Sequence, residues 1–286
     1  MDPRPEKLRA MPARQPLKLS FRRQLEAREK ECFQFLNRLS PERNYVLIGG
    51  YAVSSYHFPR YSADLDIVVE EKEAGFFLEL AKSLDYKRSQ VRDELEPVYG
   101  GRSETFVKDI GFKVGIDLLV NSVQSRQTRC AYSFGYLLAN SETREIRGRG
   151  LEARAKARVA DKEMLIALKA QPMRAQDIGD IIALCYEKPN QARVITHLQK
   201  CPREKILENI EKLWTFVEEP KTDSVRGAFS FGPREFEQCI VNCRSLVARV
   251  HQSLSKPSRA TGDLAGTSKL SKEETFRLLD KMREEE

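Results

Sequence analysis

Apolar and polar positions alternate along this chain in two rhythms, and each change of rhythm marks an element. Between Phe21 and Leu39 the apolar residues stand at Phe21, Leu25, Cys32, Phe35, Leu36 and Leu39, the spacing of a helix with one buried face. Ser40-Pro41 predicts its end, because the residue before a proline avoids the helical region. Tyr45 to Ile48 is a short unbroken apolar run and reads as a strand; Gly49-Gly50 breaks it, and Tyr51 to His57 reads as a helix. Beyond the loop Phe58-Pro59-Arg60, a second strand is predicted over Leu65 to Val69, a helix over Glu73 to Leu84 and a third strand over Phe112 to Val120. From there the pattern turns helical, over Val159 to Ala170, Ile178 to Tyr186, Ile206 to Val217 and Phe236 to His251, with a loop over Glu219 to Gly232.

These elements predict an α/β (α+β) fold: a mixed sheet with flanking helices, followed by a C-terminal helical domain. The α/β domain is placed at 19–150 and the helical domain at 151–254, the change coming where Glu142 to Arg158 is dense in Arg and Glu and poor in large apolar residues. The segment 1–18 is rich in Pro and Arg without a period and is expected to be flexible. The segment 255–286 is a polar tail, in which Ser271 with Glu274 makes the capping-box pattern of a helix start. No internal repeat is visible.

Composition narrows the function classes. The 286 residues suffice for one large domain or two modest ones. No apolar run reaches the roughly 18 residues that a membrane-spanning helix needs. The N-terminal residues lack the apolar stretch of a secretory signal, and Asp2, Glu6 and the prolines argue against a mitochondrial presequence. Six cysteines are too few for a disulfide scaffold, so a reducing, cytoplasmic setting is expected. The net charge of +7 favours polyanionic partners, nucleic acid among them. The plainer alternative is solubility alone, since Lys and Arg are spread along the chain.

The candidate chemistry lies between Leu47 and Val69. Alternate side chains of a strand share a face, so Asp64 and Asp66 project together while Leu65, Ile67 and Val69 point into a core. Two acids on one face of an apolar strand repel each other and resist desolvation, and a divalent cation removes that penalty. Oxygen-only ligands suit Mg²⁺ or Mn²⁺ rather than zinc. Gly49-Gly50, between a strand and a helix, lets backbone N–H groups approach a phosphate, with Ser62 offering a hydroxyl and Arg60 a positive charge. Alone, the glycines are a turn and Asp-Leu-Asp a strand end. In this order, on strand, turn, helix, loop and strand, they point to nucleotidyl transfer. Asp117, inside the apolar run Val114 to Val120, is an acid in need of a partner, and Lys113 on the same face is one candidate.

The segment resembles the nucleotidyltransferase superfamily of DNA polymerase β type, whose signature is Gly-Gly or Gly-Ser, about ten residues, then an acid-hydrophobic-acid pair. Within it, Gly49-Gly-Tyr-Ala and Arg60-x-Ser62-x-Asp64-x-Asp66 look most like the AbiEii/MenT-type toxin nucleotidyltransferases. Ser62 stands where those usually carry Thr and keeps the hydroxyl. A second stretch, Val159 to Lys169 followed by Arg174-x-x-Asp177-x-x-Asp180, resembles that family's later motifs: a helix bearing a Lys, an Arg after a short loop, then an Asp-x-x-Asp helix start.

The resemblance implies a nucleotidyltransferase-type sheet and transfer of an NMP from an NTP to an acceptor hydroxyl, with Mg²⁺ (or Mn²⁺) as cofactor. It implies Asp64, Asp66 and Asp117 as catalytic metal-binding carboxylates, with Gly49, Gly50, Arg60, Ser62 and Lys169 holding the nucleotide. Lys169 and Asp177 would act in or beside the catalytic site. The acceptor it implies is RNA, the 3′ end of a tRNA, and for a toxin an antitoxin protein is a further partner. Lys162 competes with Lys169 as the phosphate lysine, and Asp177 with Asp180 could instead serve the helix start through its dipole. Other acceptors are a protein hydroxyl, which would make the chain an AMP-transferring enzyme, and a cationic small molecule, which the basic charge disfavours. A non-catalytic nucleic-acid-binding relative is the alternative from another class.

The remaining signals are weaker. His57 either caps its helix or lines the nucleotide pocket, and His197 and His251 read as structural. Cys239 and Cys243 lack zinc-site spacing. Trp214 and Phe216 read as helix core, and neither a nucleophile elbow nor a Walker loop occurs.

Overall fold

A computed structural model of the chain describes residues 20–255, apart from 97 and 221. The expectations for 1–18 and for the tail from 256 onward, the Ser271 cap included, lie outside those residues.

The first part of the chain runs α1 (Phe21–Leu36), β1 (Tyr45–Ile48), α2 (Gly49–Val53), β2 (Asp64–Val69) and α3 (Glu71–Ser83). It continues with β3 (Lys87–Glu96), β4 (Gly101–Asp109), β5 (Lys113–Val120), β6 (Ser122–Gln124), β7 (Ala131–Ser133), α4 (Phe134–Ala139), β8 (Ser141–Arg147) and β9 (Arg154–Ala160). Helices complete it: α5 (Lys162–Ala170), α6 (Ala175–Leu184), α7 (Gln191–Leu198), α8 (Arg203–Glu218), α9 (Thr222–Phe229) and α10 (Pro233–Ser255). One mixed sheet takes the order β3-β4-β5-β2-β1-β9-β8, and β6 pairs with β7 separately. This is the expected class, a mixed sheet with flanking helices and a C-terminal helical region.

The central strands are apolar because the sheet is covered. Tyr45, Leu47, Leu65, Ile67, Ile116 and Leu118 are all fully buried. Pairing sets Leu47 beside Ile67 and Ile67 beside Leu118, so they share one face. Helix α3 packs there, with Phe77 edge-on to Tyr45 at 5.9 Å between ring centres. Burying each such side chain contributes about 1.5–3 kcal/mol, which locks the register that positions the opposite face.

The boundary expected at 150/151 falls inside the β8–β9 turn. β9 pairs with both β8 and β1, and helix begins only at Lys162, where the Asp161 side chain caps α5 by accepting from the Met164 N–H at 2.9 Å. The strand escaped sequence reading because its buried positions include Ala155 and Ala157, which carry almost no apolar signal. β3 and β4 were missed for a related reason, their polar composition. The predicted helix over Tyr51 to His57 is shorter and starts earlier, as α2, and the predicted loop over Glu219 to Gly232 contains α9.

Two long-range ties hold loops in place. Glu29 of α1, only 1% exposed, accepts from the backbone N–H groups of Arg149, Gly150 and Leu151 at 2.6, 3.0 and 2.9 Å, fixing the β8–β9 turn. Cys130 and Cys201 are disulfide-bonded, joining the residue before β7 to the corner between α7 and α8. The sequence reading did not foresee this bond. Among the described residues no helix is long and apolar enough to cross a membrane.

Candidate active site

β2 and β5 run parallel, in a register that sets Asp117 beside Asp66 and Gly115 beside Asp64. The three carboxylates therefore rise from one face of the sheet, the face away from Leu65 and Ile67. Ile48 at the end of β1 pairs with Asp66, so the next residue, Gly49, turns directly over that carboxylate. Its φ of +71° is a left-handed conformation, and a Cβ there would run into the Asp66 carboxylate; both conditions require glycine. A Cβ on Gly50 would meet the Ser62 hydroxyl, and one on Gly115 the Asp64 carboxylate. Asp117 accepts a hydrogen bond from Thr105 of β4 at 2.6 Å, so its partner is not Lys113, which is exposed.

This crowding shows in the acids. Burial, and then the neighbouring Asp117, push the Asp66 carboxyl up to about 7. The same two causes raise Asp64. Each carboxylate thus resists ionisation for want of a countercharge. Three carboxylates without thiol or imidazole are the donor type that hard divalent cations prefer. Among the described residues no three metal-ligating side chains converge on one ion position.

A cleft of about 370 Å³ opens beside this face, lined by Gly49, Asp66, Arg126, Lys169, Arg174 and Asp177 among others. Behind it lies a buried ionic network. Arg60, 4% exposed, closes on Asp180 through Nε at 2.5 Å and Nη2 at 2.8 Å. Lys169 Nζ lies 2.7 Å from Asp180 and 3.3 Å from Asp177. Arg174 binds Asp177 through Nε at 2.8 Å, while its own backbone N–H donates to the same carboxylate at 3.0 Å. Burial works to raise the Asp177 carboxyl, but Arg174 and Lys169 hold it below its usual value. Three cations and two carboxylates leave the network one positive charge, close enough for Lys169 and Arg60 to offset part of the upward push on Asp66.

No family model and no curated protein matches the chain. Among solved structures, JHP933 from Helicobacter pylori is similar over 93% of this chain and 100% of its own, at 15% identity and a TM-score of 0.46. A provisionally assigned nucleotidyltransferase from H. pylori is similar over 83% of this chain and 98% of its own, at 15% identity and a TM-score of 0.44. Likeness that distant leaves activity to the geometry of this chain's own residues.

That geometry sorts the residues named from the sequence. Gly49, Gly50, Ser62, Asp64, Asp66 and Asp117 lie together at one face of the sheet and its corner. Lys169 reaches the cleft, whereas its competitor Lys162 lies in a separate recess beside His57, Arg144 and Tyr186 and pairs with Glu187. Arg60 has its guanidinium closed on Asp180. Asp177, wholly buried, stands beside the cleft, where it caps α6 and holds Lys169 and Arg174. α2 spans only five residues, so its dipole adds little to the Gly49 corner. His57 stacks on Tyr186 at 4.2 Å, away from the cleft. Trp214, read as core, is 38% exposed. Sequence reasoning missed Arg126, which carries no signal in a polar turn, and the Arg60–Asp180 pair, which spans 120 positions.

Proposed function

We propose that the chain is a metal-dependent nucleotidyltransferase that moves an NMP from an NTP to an acceptor hydroxyl of RNA, the 3′ end of a tRNA. The observation that carries this is the register setting Asp117 beside Asp66, with Asp64 on the same face and the left-handed Gly49 turned over it. The Gly49 corner and the Ser62 hydroxyl bind phosphate oxygens of the NTP. Asp64, Asp66 and Asp117 would hold Mg²⁺ or Mn²⁺. That ion supplies the positive charge that a triphosphate needs at the moment of transfer and makes the acceptor hydroxyl more acidic. Asp117, steadied by Thr105, accepts the proton of the acceptor hydroxyl. The hydroxyl oxygen bonds to the α-phosphorus as the bond to the leaving pyrophosphate breaks.

The acceptor is argued from charge: +7 suits a polyanion and disfavours a cationic small molecule. A toxin role, with an antitoxin protein as partner, is supported by the Gly49-to-Asp66 resemblance alone. We place the activity in the cytoplasm, the setting that six cysteines in 286 residues favour.

The test is transfer itself. The protein is incubated with each labelled NTP, Mg²⁺ or Mn²⁺, and either total RNA or bulk protein. Label on RNA is the expected result, lost in the Asp64→Ala, Asp66→Ala double variant. Label on protein replaces RNA by a protein hydroxyl, and no label with RNA still bound leaves a non-catalytic binding protein.

A further inference from the structure

Three basic side chains line the cleft beside Asp66, and two of them already have carboxylate partners: Lys169 on Asp177 and Asp180, and Arg174 on Asp177. The third, Arg126, is exposed and makes no ion pair or side-chain hydrogen bond among the described residues. It is presented by a firmly built turn between β6 and β7. The Ser125 N–H donates to the Cys130 carbonyl at 3.0 Å, and the Arg129 N–H donates to the Ser125 carbonyl at 2.8 Å. The Thr128 hydroxyl donates to Gln171 at 3.4 Å. Gln171, 2% exposed, also lines the cleft, with its side chain against Tyr132. The turn thus offers the cleft a guanidinium that has no carboxylate partner among the described residues.

We infer that Arg126 binds the β- and γ-phosphates of the incoming nucleotide. This rests on the nucleotidyltransferase reading and deepens it. A guanidinium matches two phosphate oxygens at once. The buried network has only one unbalanced positive charge, so a triphosphate entering this cleft needs a further cation. Arg126 can turn to it without breaking an existing pair.

The experiment is equilibrium binding, in Mg²⁺, of an NTP analogue with a methylene between the α- and β-phosphates, compared with the corresponding NMP. Arg126→Ala is expected to lose roughly ten- to a hundred-fold in NTP affinity while binding NMP as the wild type does. Arg126→Lys should fall between, because an ammonium contacts phosphate singly. Lys156→Ala, the same charge change on exposed β9, should leave both affinities unchanged. In turnover, Arg126→Ala should raise KM for NTP more than it lowers kcat. NTP binding by Arg126→Ala equal to that of the wild type, or an equal loss for NTP and NMP, overturns the assignment and leaves the transferase reading standing. A wild type that binds none of the four NTPs ends that reading and this one together.

Discussion

Asp66 concentrates the conflict between stability and chemistry in one side chain. Its folded carboxyl sits at about 7, above the value near 4 of an unfolded chain. The folded state therefore favours the protonated form, and the contribution of this group to stability falls as pH rises from about 4 through 7. With EDTA present, Asp66→Asn is expected to stabilise the protein at pH 8 by roughly 1–3 kcal/mol, a range reduced for its partial exposure, while removing nucleotidyl transfer. Thermal melts of both proteins at pH 5 and pH 8 measure it: the gain should shrink at pH 5. An Asp66→Asn protein less stable than wild type at pH 8 would contradict the crowding of charge described above. Gly49 lies at the same point, and its necessity was only half visible in the sequence. A Gly-Gly after a strand announces a turn, but that a Cβ would strike Asp66 depends on a residue seventeen positions later.

Among the elements, the central strands were legible and the margins of the sheet were not. β1, β2 and β5 are short, largely apolar runs with most of their side chains buried, and such runs announce themselves. The β8–β9 hairpin hides its buried face in alanines, and its turn is held from outside by Glu29. That carboxylate meets three backbone N–H groups that would otherwise lack acceptors. Glu29→Ala is expected to destabilise the protein by about 2–4 kcal/mol, and hydrogen exchange should quicken at Arg149, Gly150 and Leu151 before it does in β1 or β2. Unchanged protection at those three amides would show that the turn holds itself.

At the scale of the whole molecule, the helical part and the sheet meet through the network of Arg60, Asp180, Lys169, Asp177 and Arg174. Asp180 is its centre, wholly buried between Arg60 and Lys169. Asp180→Ala leaves Arg60 without its carboxylate and Lys169 with Asp177 alone, and should cost about 3–5 kcal/mol, read as a fall in the denaturant midpoint; a loss below 1 kcal/mol would mean that water replaces the carboxylate. The same network explains where sequence and structure part. The acids, the glycine corner and the alternation that puts Asp64 beside Asp66 on one face are local, because backbone geometry over two to twenty residues dictates them. Which cations remain free is not local. Arg60 and Arg126 look alike in a sequence, and only folding, by burying Asp180 against one of them and leaving the other at an open cleft, made the first a strut and the second a candidate hand for phosphate.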